Sequence, residues 1–350
     1  MWLRVGQTGL TLAELKERRG FHRAWTAVGV AAVAICLWAY GRVTPDSSAQ
    51  VPRHDPSGAL QRDVAGHTGE PLRSTLDLYD LDHPTFKDKL PGKLEEVSGV
   101  TAVSASAVAC VQDEDGIVFI YDLAKKDVTR KIHFGKGGDY EEVSLAKDAL
   151  FVLRSDGVLF KLDHWQHNDP QVTTYNTSLP TRDNEGLGFD PQSGRLLIAP
   201  KSHLGKGHKA KDQRPIFAFD LQTDTLLPEP AFVFSVDDIQ DFAESRAKEH
   251  AGKGKKKHKS EWSRLRFLPA SIAVHPISFE IFVLSGTDRL LASFDRQQNV
   301  TGVAALKPKL FRQPEGVAFL PNGDMVITNE GDGKKATLLR FDMRSTPPDR

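Results

Sequence analysis

Four glutamates, Glu96, Glu142, Glu185 and Glu315, each open a short aliphatic segment, and this shared placement is the strongest chemical signal in the chain. The segments read Glu96-Val-Ser-Gly-Val, Glu142-Val-Ser-Leu, Glu185-Gly-Leu-Gly-Phe and Glu315-Gly-Val-Ala-Phe. A fifth, Ser271-Ile-Ala-Val, carries serine in the acidic place. Carboxylates brought into one space repel, and no basic residue recurs at this position to relieve them. A hard divalent cation would, and calcium accepts several oxygen ligands in flexible geometry. The bland alternative is that each glutamate is held by backbone amides at a strand entrance or by a neighbouring Lys or Arg. Glu95 and Glu141 are adjacent competitors that align less well with the last copies. A second tier follows the next apolar run of each copy: Asp113 with Glu114, Asp156, Lys201, Asp288, and Asn329 with Glu330. An Asn followed by an acid after a buried strand is a poor choice for a merely structural turn. The expected calcium ligands are therefore Glu96, Glu142, Glu185, Glu315, Asn329 and Glu330.

The elements that must position these groups follow from the same recurrence. Each copy passes from the small-aliphatic segment through a polar turn to a second strand ending in aromatic-x-Asp or Leu-Asp, as at Asp122, Asp163, Asp220, Asp295 and Asp342. Start-to-start spacings are 46, 43, 86 and 44 residues, and a period in the forties with several short strands per copy marks a β-propeller. In such a ring, equivalent inner-strand positions face one central channel. The doubled interval contains Ala231-Phe-Val-Phe, which completes the third copy, and then a stretch from Val236 to Phe267 that does not read as strand. Ser235 precedes Asp238 in the manner of a helix cap, and Ile239, Phe242, Ala243 and Arg246 follow at helical spacing. The expected fold is all-β, a five-bladed propeller with an insertion at about 236–267, six blades being the alternative. The run from Ser74 to Leu81 reads as an early strand that completes the last copy and closes the ring.

Particular motifs resemble a known family. Leu90-Pro-Gly-Lys-Leu-Glu-Glu-Val-Ser-Gly99, Asn184-Glu-Gly-Leu-Gly-Phe-Asp-Pro-Gln-Ser-Gly-Arg-Leu-Leu-Ile198, and Gln313-Pro-Glu-Gly-Val-Ala-Phe-Leu-Pro-Asn-Gly323 with Thr328-Asn-Glu330 resemble the SdiA-regulated (YjiK-like) bacterial proteins. The resemblance spans about Leu76 to Asp342. It implies an extracytoplasmic five-bladed propeller, distantly related to NHL repeats, with a single N-terminal anchor, a calcium site and no established activity. The chain departs from that pattern at Ser271 and in its basic insertion.

Ala24 to Tyr40 is an uncharged run of 17 residues with Trp25, Trp38 and Tyr40 at its ends. It has the length and aromatic flanks of a single membrane-spanning helix. Lys16, Arg18, Arg19 and Arg23 precede it, so the positive-inside bias predicts a cytoplasmic segment 1–23, a signal-anchor at 24–41, a flexible tether at 42–73 rich in Pro, Gly, Ser and charge, and a propeller at 74–345. The propeller is then expected outside a bacterial inner membrane, on the periplasmic or extracellular side. A cleaved signal peptide is the rival reading. The two cysteines, Cys36 and Cys110, lie in an apolar run and a predicted strand, and no disulfide is expected.

The formal net charge is zero, which implies no global attraction to polyanions. Arg246 to Lys259 nonetheless holds seven Lys or Arg against one Glu, and Lys201 to Arg214 adds a shorter basic loop. Outside the inner membrane these would suit an anionic envelope polymer or acidic protein as partner, a solvated loop with no partner being the other reading. No aromatic side chains interleave the lysines, and nucleic acid is not expected. The chain has no Gly-x-Ser-x-Gly elbow, no His-Glu-x-x-His and no phosphate-binding glycine loop. The expected function is a calcium-binding, membrane-anchored binding or scaffolding module. A calcium-dependent hydrolase of the lactonase or phosphoesterase type is the alternative.

Overall fold

The computed structural model describes residues 74–167, 169–203, 212–250 and 265–348. The expected anchor and tether, and the Lys-rich run at 251–264, lie outside the described residues. Among the described residues no helix is long and apolar enough to cross a membrane.

The first strand, β1 (Phe86–Lys89), belongs to the last sheet and is described with it. Blade one then runs through β2 (Val97–Ala102), β3 (Ala107–Gln112), β4 (Ile117–Asp122) and β5 (Asp127–His133). Blade two is β6 (Tyr140–Ala146), β7 (Ala149–Arg154), β8 (Val158–Asp163) and β9 (Gln171–Asn176). Blade three is β10 (Asn184–Asp190), β11 (Arg195–Pro200) and β12 (Gln213–Asp220), with β13 (Thr225–Leu226) and β14 (Phe232–Ser235) pairing in turn along β12. A helix, α1 (Val236–His250), follows. Blade four is β15 (Ser271–Val274), β16 (Ile281–Ser285), β17 (Leu290–Phe294) and β18 (Val300–Ala305). Blade five is β19 (Pro314–Phe319), β20 (Met325–Asn329) and β21 (Thr337–Phe341), completed by β1. The described residues thus form five antiparallel sheets. Their inner strands touch in a closed ring, β2 to β6 to β10 to β15 to β19 and back to β2.

Burial follows strand position. The second and third strands are nearly continuous apolar runs such as Ala149–Arg154 and Ile281–Ser285, because neighbouring blades cover both faces. Outer strands alternate or are half exposed, as in Gln171–Asn176. The core is accordingly a set of apolar layers between blades; Val100, Cys110 and Phe119 of blade one, for example, pack against Val326 and Leu338 of blade five. Cys110 is a buried free thiol. The terminal Asp of several copies makes the turn: Asp122 Oδ1 accepts from Ala124 and Lys125 N–H, Asp220 from Gln222, and Asp295 from Gln297. This side-chain mimicry of a turn suits Asp at each hairpin.

The closing strand differs from the sequence expectation. Thr75–Leu78 is a 3-10 helix, capped by the Ser74 side chain, which accepts from Leu76 N–H. Residues three apart eclipse on a 3-10 helix, and Leu76 and Tyr79 consequently bury together against Phe282, Leu284 and Leu291. Closure falls instead to β1, in register Phe86↔Arg340 through Lys89↔Thr337. The alternating Phe-Lys-Asp-Lys suits a strand whose outer face meets water, since edge lysines discourage further pairing.

After blade three, Ser235 Oγ accepts from the Asp237 and Asp238 N–H groups and starts α1, which buries Val236, Ile239 and Ala243. Buried Arg214 then donates to the carbonyls of Arg266 and Phe267, fixing the chain where it re-enters the ring.

Candidate functional site

Each first strand begins, and each second strand ends, at the same end of the channel, so the two tiers of acidic residues meet there. The antiparallel register sets Val97 opposite Gln112, Asn184 opposite Pro200 and Pro314 opposite Asn329. In four blades a one-residue bulge follows at once, skipping Ser98, Glu141, Glu185 and Glu315 in the ladder. A bulge re-aims the side chain it carries. The true ring at the mouth is therefore Ser98, Glu141, Glu185 and Glu315, with Ala270 in the fourth blade, where the regular ladder starts at Ser271.

This register relocates two of the four predicted glutamates. Glu142 falls one residue deeper, in a tier with Gly99, Gly186, Ser271 and Gly316. Its carboxyl spans the axis. Oε1 accepts from Val100 N–H at 2.7 Å and Val143 N–H at 3.0 Å, and Oε2 accepts from Ser271 Oγ at 2.5 Å. A side chain at Gly99 would collide with it. Small residues elsewhere in the tier thus leave room for one carboxyl, which plugs the channel. Burial pushes its pKa well above the carboxylate range, against the three hydrogen bonds. Glu96 lies two residues before the bulge, exposed, and lines a side cavity of about 360 Å3 with Gln112, Glu114 and Lys131. Asp113, then burial and Glu114, raise its pKa.

At the mouth, Glu141, Glu185 and Glu315 form one electrostatic unit around Lys201. Lys201 Nζ donates to Glu185 Oε1. Burial raises Glu185 to about 7 despite that bond. Burial and the Glu185 charge raise Glu315 to about 7, with Lys201 opposing. Glu141 is driven to about 9 by burial, then by Glu185 and Asp139. Burial works to lower Lys201, but the bond and charge of Glu185, with Glu315, outweigh it and raise its pKa. Glu315 reaches over Gly286 of blade four.

Asn329 and Glu330 stand beside this unit. Asn329 is buried, donates to Thr337 Oγ1 at 3.1 Å, and leaves its Oδ1 without a partner. Glu330 accepts from Gln313 Nε2, and burial with the charges of Asp113 and Glu96 raises its pKa. Asp113 Oδ1 is likewise buried and unpartnered. Of the six expected ligands, the structure brings Glu185 and Glu315 together, keeps Asn329 and Glu330 at the same end, and sets Glu142 and Glu96 apart. Glu141 takes the place assigned to Glu142. Among the described residues, no three His, Cys, Asp or Glu side chains stand as a ready metal-holding group.

At the other end of the channel the lining carries no charged side chain. A cavity of about 200 Å3 opens there, walled by Val100, Val143, Leu187, Ile272 and Val317 from the five inner strands.

No protein-family model matches the sequence, and no curated protein matches it. The fold is similar to the glutaminyl cyclase of Myxococcus xanthus, at 14% identity over 74% of this chain and 95% of that one, with a TM-score of 0.50. The chain is a β-propeller. More distant similarity extends to virginiamycin B lyase from Staphylococcus aureus, at 10% identity over 72% of this chain and 68% of that one, TM-score 0.38. A luciferin-regenerating enzyme is 12% identical over 76% of this chain and 98% of that one, TM-score 0.43. At such identities the likeness concerns the fold alone, which hosts many functions.

Proposed function

We propose that this propeller is a binding module of the SdiA-regulated (YjiK-like) type, anchored by residues 24–41 with its propeller outside the membrane, and that its acidic mouth takes calcium. The observation that carries the reading is that bulges in three blades bring Glu141, Glu185 and Glu315 to one mouth, where a single ammonium, Lys201, bonds to Glu185. One Lys leaves this mouth short of positive charge. Calcium is met by several carboxylate and amide oxygens at once; Glu185, Glu315 and Glu141 would hold it, with Asn329 Oδ1 as a neutral oxygen that lacks a protein partner. Lys201 would have to release Glu185 for this to happen. When bound, the ion would supply positive charge that orders the mouth and fixes an anionic group of a ligand. The Lys-rich insertion offers an anionic envelope polymer or protein a second contact.

Binding is favoured over hydrolysis because no His stands at the start of any inner strand, and His275, which follows the far end of β15, is unsuited to act as a base. Its Nδ1 accepts from Ile277 and Ser278 N–H, so the proton resides on Nε2, which donates to Tyr79, which in turn donates to Gly323 O. Burial pushes its pKa down to about 4. The deciding experiment is calcium titration of the purified protein followed by thermal unfolding, since an ion that binds only the folded state raises Tm by mass action. Calcium should raise Tm, and magnesium much less. Identical curves with and without calcium would dismiss the reading. Calcium-dependent turnover of lactone or phosphoester substrates would establish the hydrolase instead.

A further inference from the structure

We propose that the uncharged end of the channel is a second binding site, for a small neutral molecule about the size of one six-membered ring. Three observations define it. The cavity is walled by aliphatic side chains of all five inner strands, and Leu145, Phe189 and Val274 form a half-buried apolar rim. Its floor is closed by the Glu142 plug, whose hydrogen bonds to Val100 N–H and Ser271 Oγ seal it from the acidic mouth. Its volume is about 200 Å3, and a dry protein cavity of about 150 Å3 lined by Leu, Ile and Phe accepts benzene.

No charged side chain lines the cavity, so an ionised ligand would lose its hydration without a partner, a cost that excludes it. The polar handles are the hydroxyls of Thr101 and Ser144. Thr101 Oγ1 accepts from Leu145 N–H at 3.2 Å, which leaves its hydroxyl hydrogen to donate inward. The ligand is therefore a ring or compact branched group with one hydrogen-bond acceptor. The location on the ring axis makes the site a product of closure, because every blade supplies part of the wall and none supplies as much as a third of it.

The test uses the full-length chain in lipid nanodiscs with three probes of one shape: benzyl alcohol, benzoate and benzylammonium. Ligand-observed NMR should give saturable binding of benzyl alcohol and at least about tenfold weaker binding of both ions. Ala102→Trp, at the half-buried rim, should fill the opening and weaken benzyl alcohol at least about tenfold by occupying the apolar volume. Should that variant fail to fold, Leu145→Asp places a charge on the rim and should do the same. Equal binding of the three probes, binding to nanodiscs alone that matches the protein sample, or parent affinity in a folded variant would overturn the proposal.

Discussion

The two ends of one channel have opposite chemistry although the same five strands build both. Along β10 the walk from Glu185 to Phe189 covers about 13 Å at the usual rise of a strand, yet it leads from coupled carboxylates to an apolar wall. The difference lies in where the strands are irregular. At the start, bulges turn Glu141, Glu185 and Glu315 toward the mouth and stack them with the loops that follow the second strands. Beyond the plug the strands run regularly, and each offers small or aliphatic side chains that also pack between blades. The lesson is that a ring of blades amplifies a repeated residue: one glutamate is a turn residue, three at a bulge make a field, and five aliphatics make a pocket.

The largest effect should come from removing the partition. Glu142→Ala leaves Val100 N–H, Val143 N–H and Ser271 Oγ without their buried acceptor, and each unpaired group costs about 1–3 kcal/mol. Urea unfolding should therefore show a loss of about 3 kcal/mol or more, while Glu142→Gln, which keeps one carbonyl oxygen, should lose less. An alanine variant as stable as the parent would mean that the plug does not close the channel.

The next effect concerns charge at the acidic mouth alone. Glu185, Glu315 and Glu141 have folded pKa values raised above the unfolded ones. The native state consequently holds extra protons, and the stability of the calcium-free protein is present at low pH and is lost as pH rises through 7 and on toward 9. For Glu185, 6% exposed, the shift to about 7 corresponds to about 3 kcal/mol by linkage. Calcium should restore Tm in the upper part of this window. Benzyl alcohol binding at the other end should stay flat over the same pH range. Parallel pH profiles at the two ends would break the comparison.

A smaller change is expected from the ligands and the lysine. Glu185→Gln or Glu315→Gln should weaken the calcium-induced Tm shift about tenfold in calcium concentration, in line with the loss of one carboxylate ligand. Lys201→Met should strengthen it, since the resident ammonium competes. Equal calcium responses in all variants would remove the mouth as the site. The smallest effect belongs to Thr101→Val, which deletes one hydroxyl acceptor from Leu145 N–H. It should cost about 1 kcal/mol of stability in urea unfolding and weaken benzyl alcohol only a few-fold.

Much of this molecule was legible in its residues. The period in the forties, the Asp that closes each copy and the helical spacing after Ser235 are local patterns, and local patterns fix hairpins, turns and caps. The acidic mouth was expected from a repeated position, and Asn329 and Glu330 from an Asn followed by an acid after a buried strand; that they stand at the same end follows from the hairpin register, which sets Asn329 opposite Pro314. The exact membership was not. Glu141 and Glu142 are neighbours, and alignment on aliphatic spacing favours Glu142; only the bulge that skips Glu141 sends that residue to the mouth and its neighbour into the plug. Glu96 was misassigned by two positions for the same reason, since Ser98 holds the bulge in blade one. The closing strand was displaced because Ser74 offers the backbone a cap, and the capped 3-10 turn buries Leu76 with Tyr79.

By itself, then, the sequence determined a repeating unit of several strands and a repeated carboxylate near the start of four of the five inner strands, because both arise from contacts within a few residues. The tertiary structure decided which carboxylates meet, that Lys201 stands among them, that Glu142 bridges to Ser271 across 129 positions of chain, and that the far end becomes a cavity. Those outcomes depend on groups from different blades reaching one axis, and that distance is set only when the ring closes.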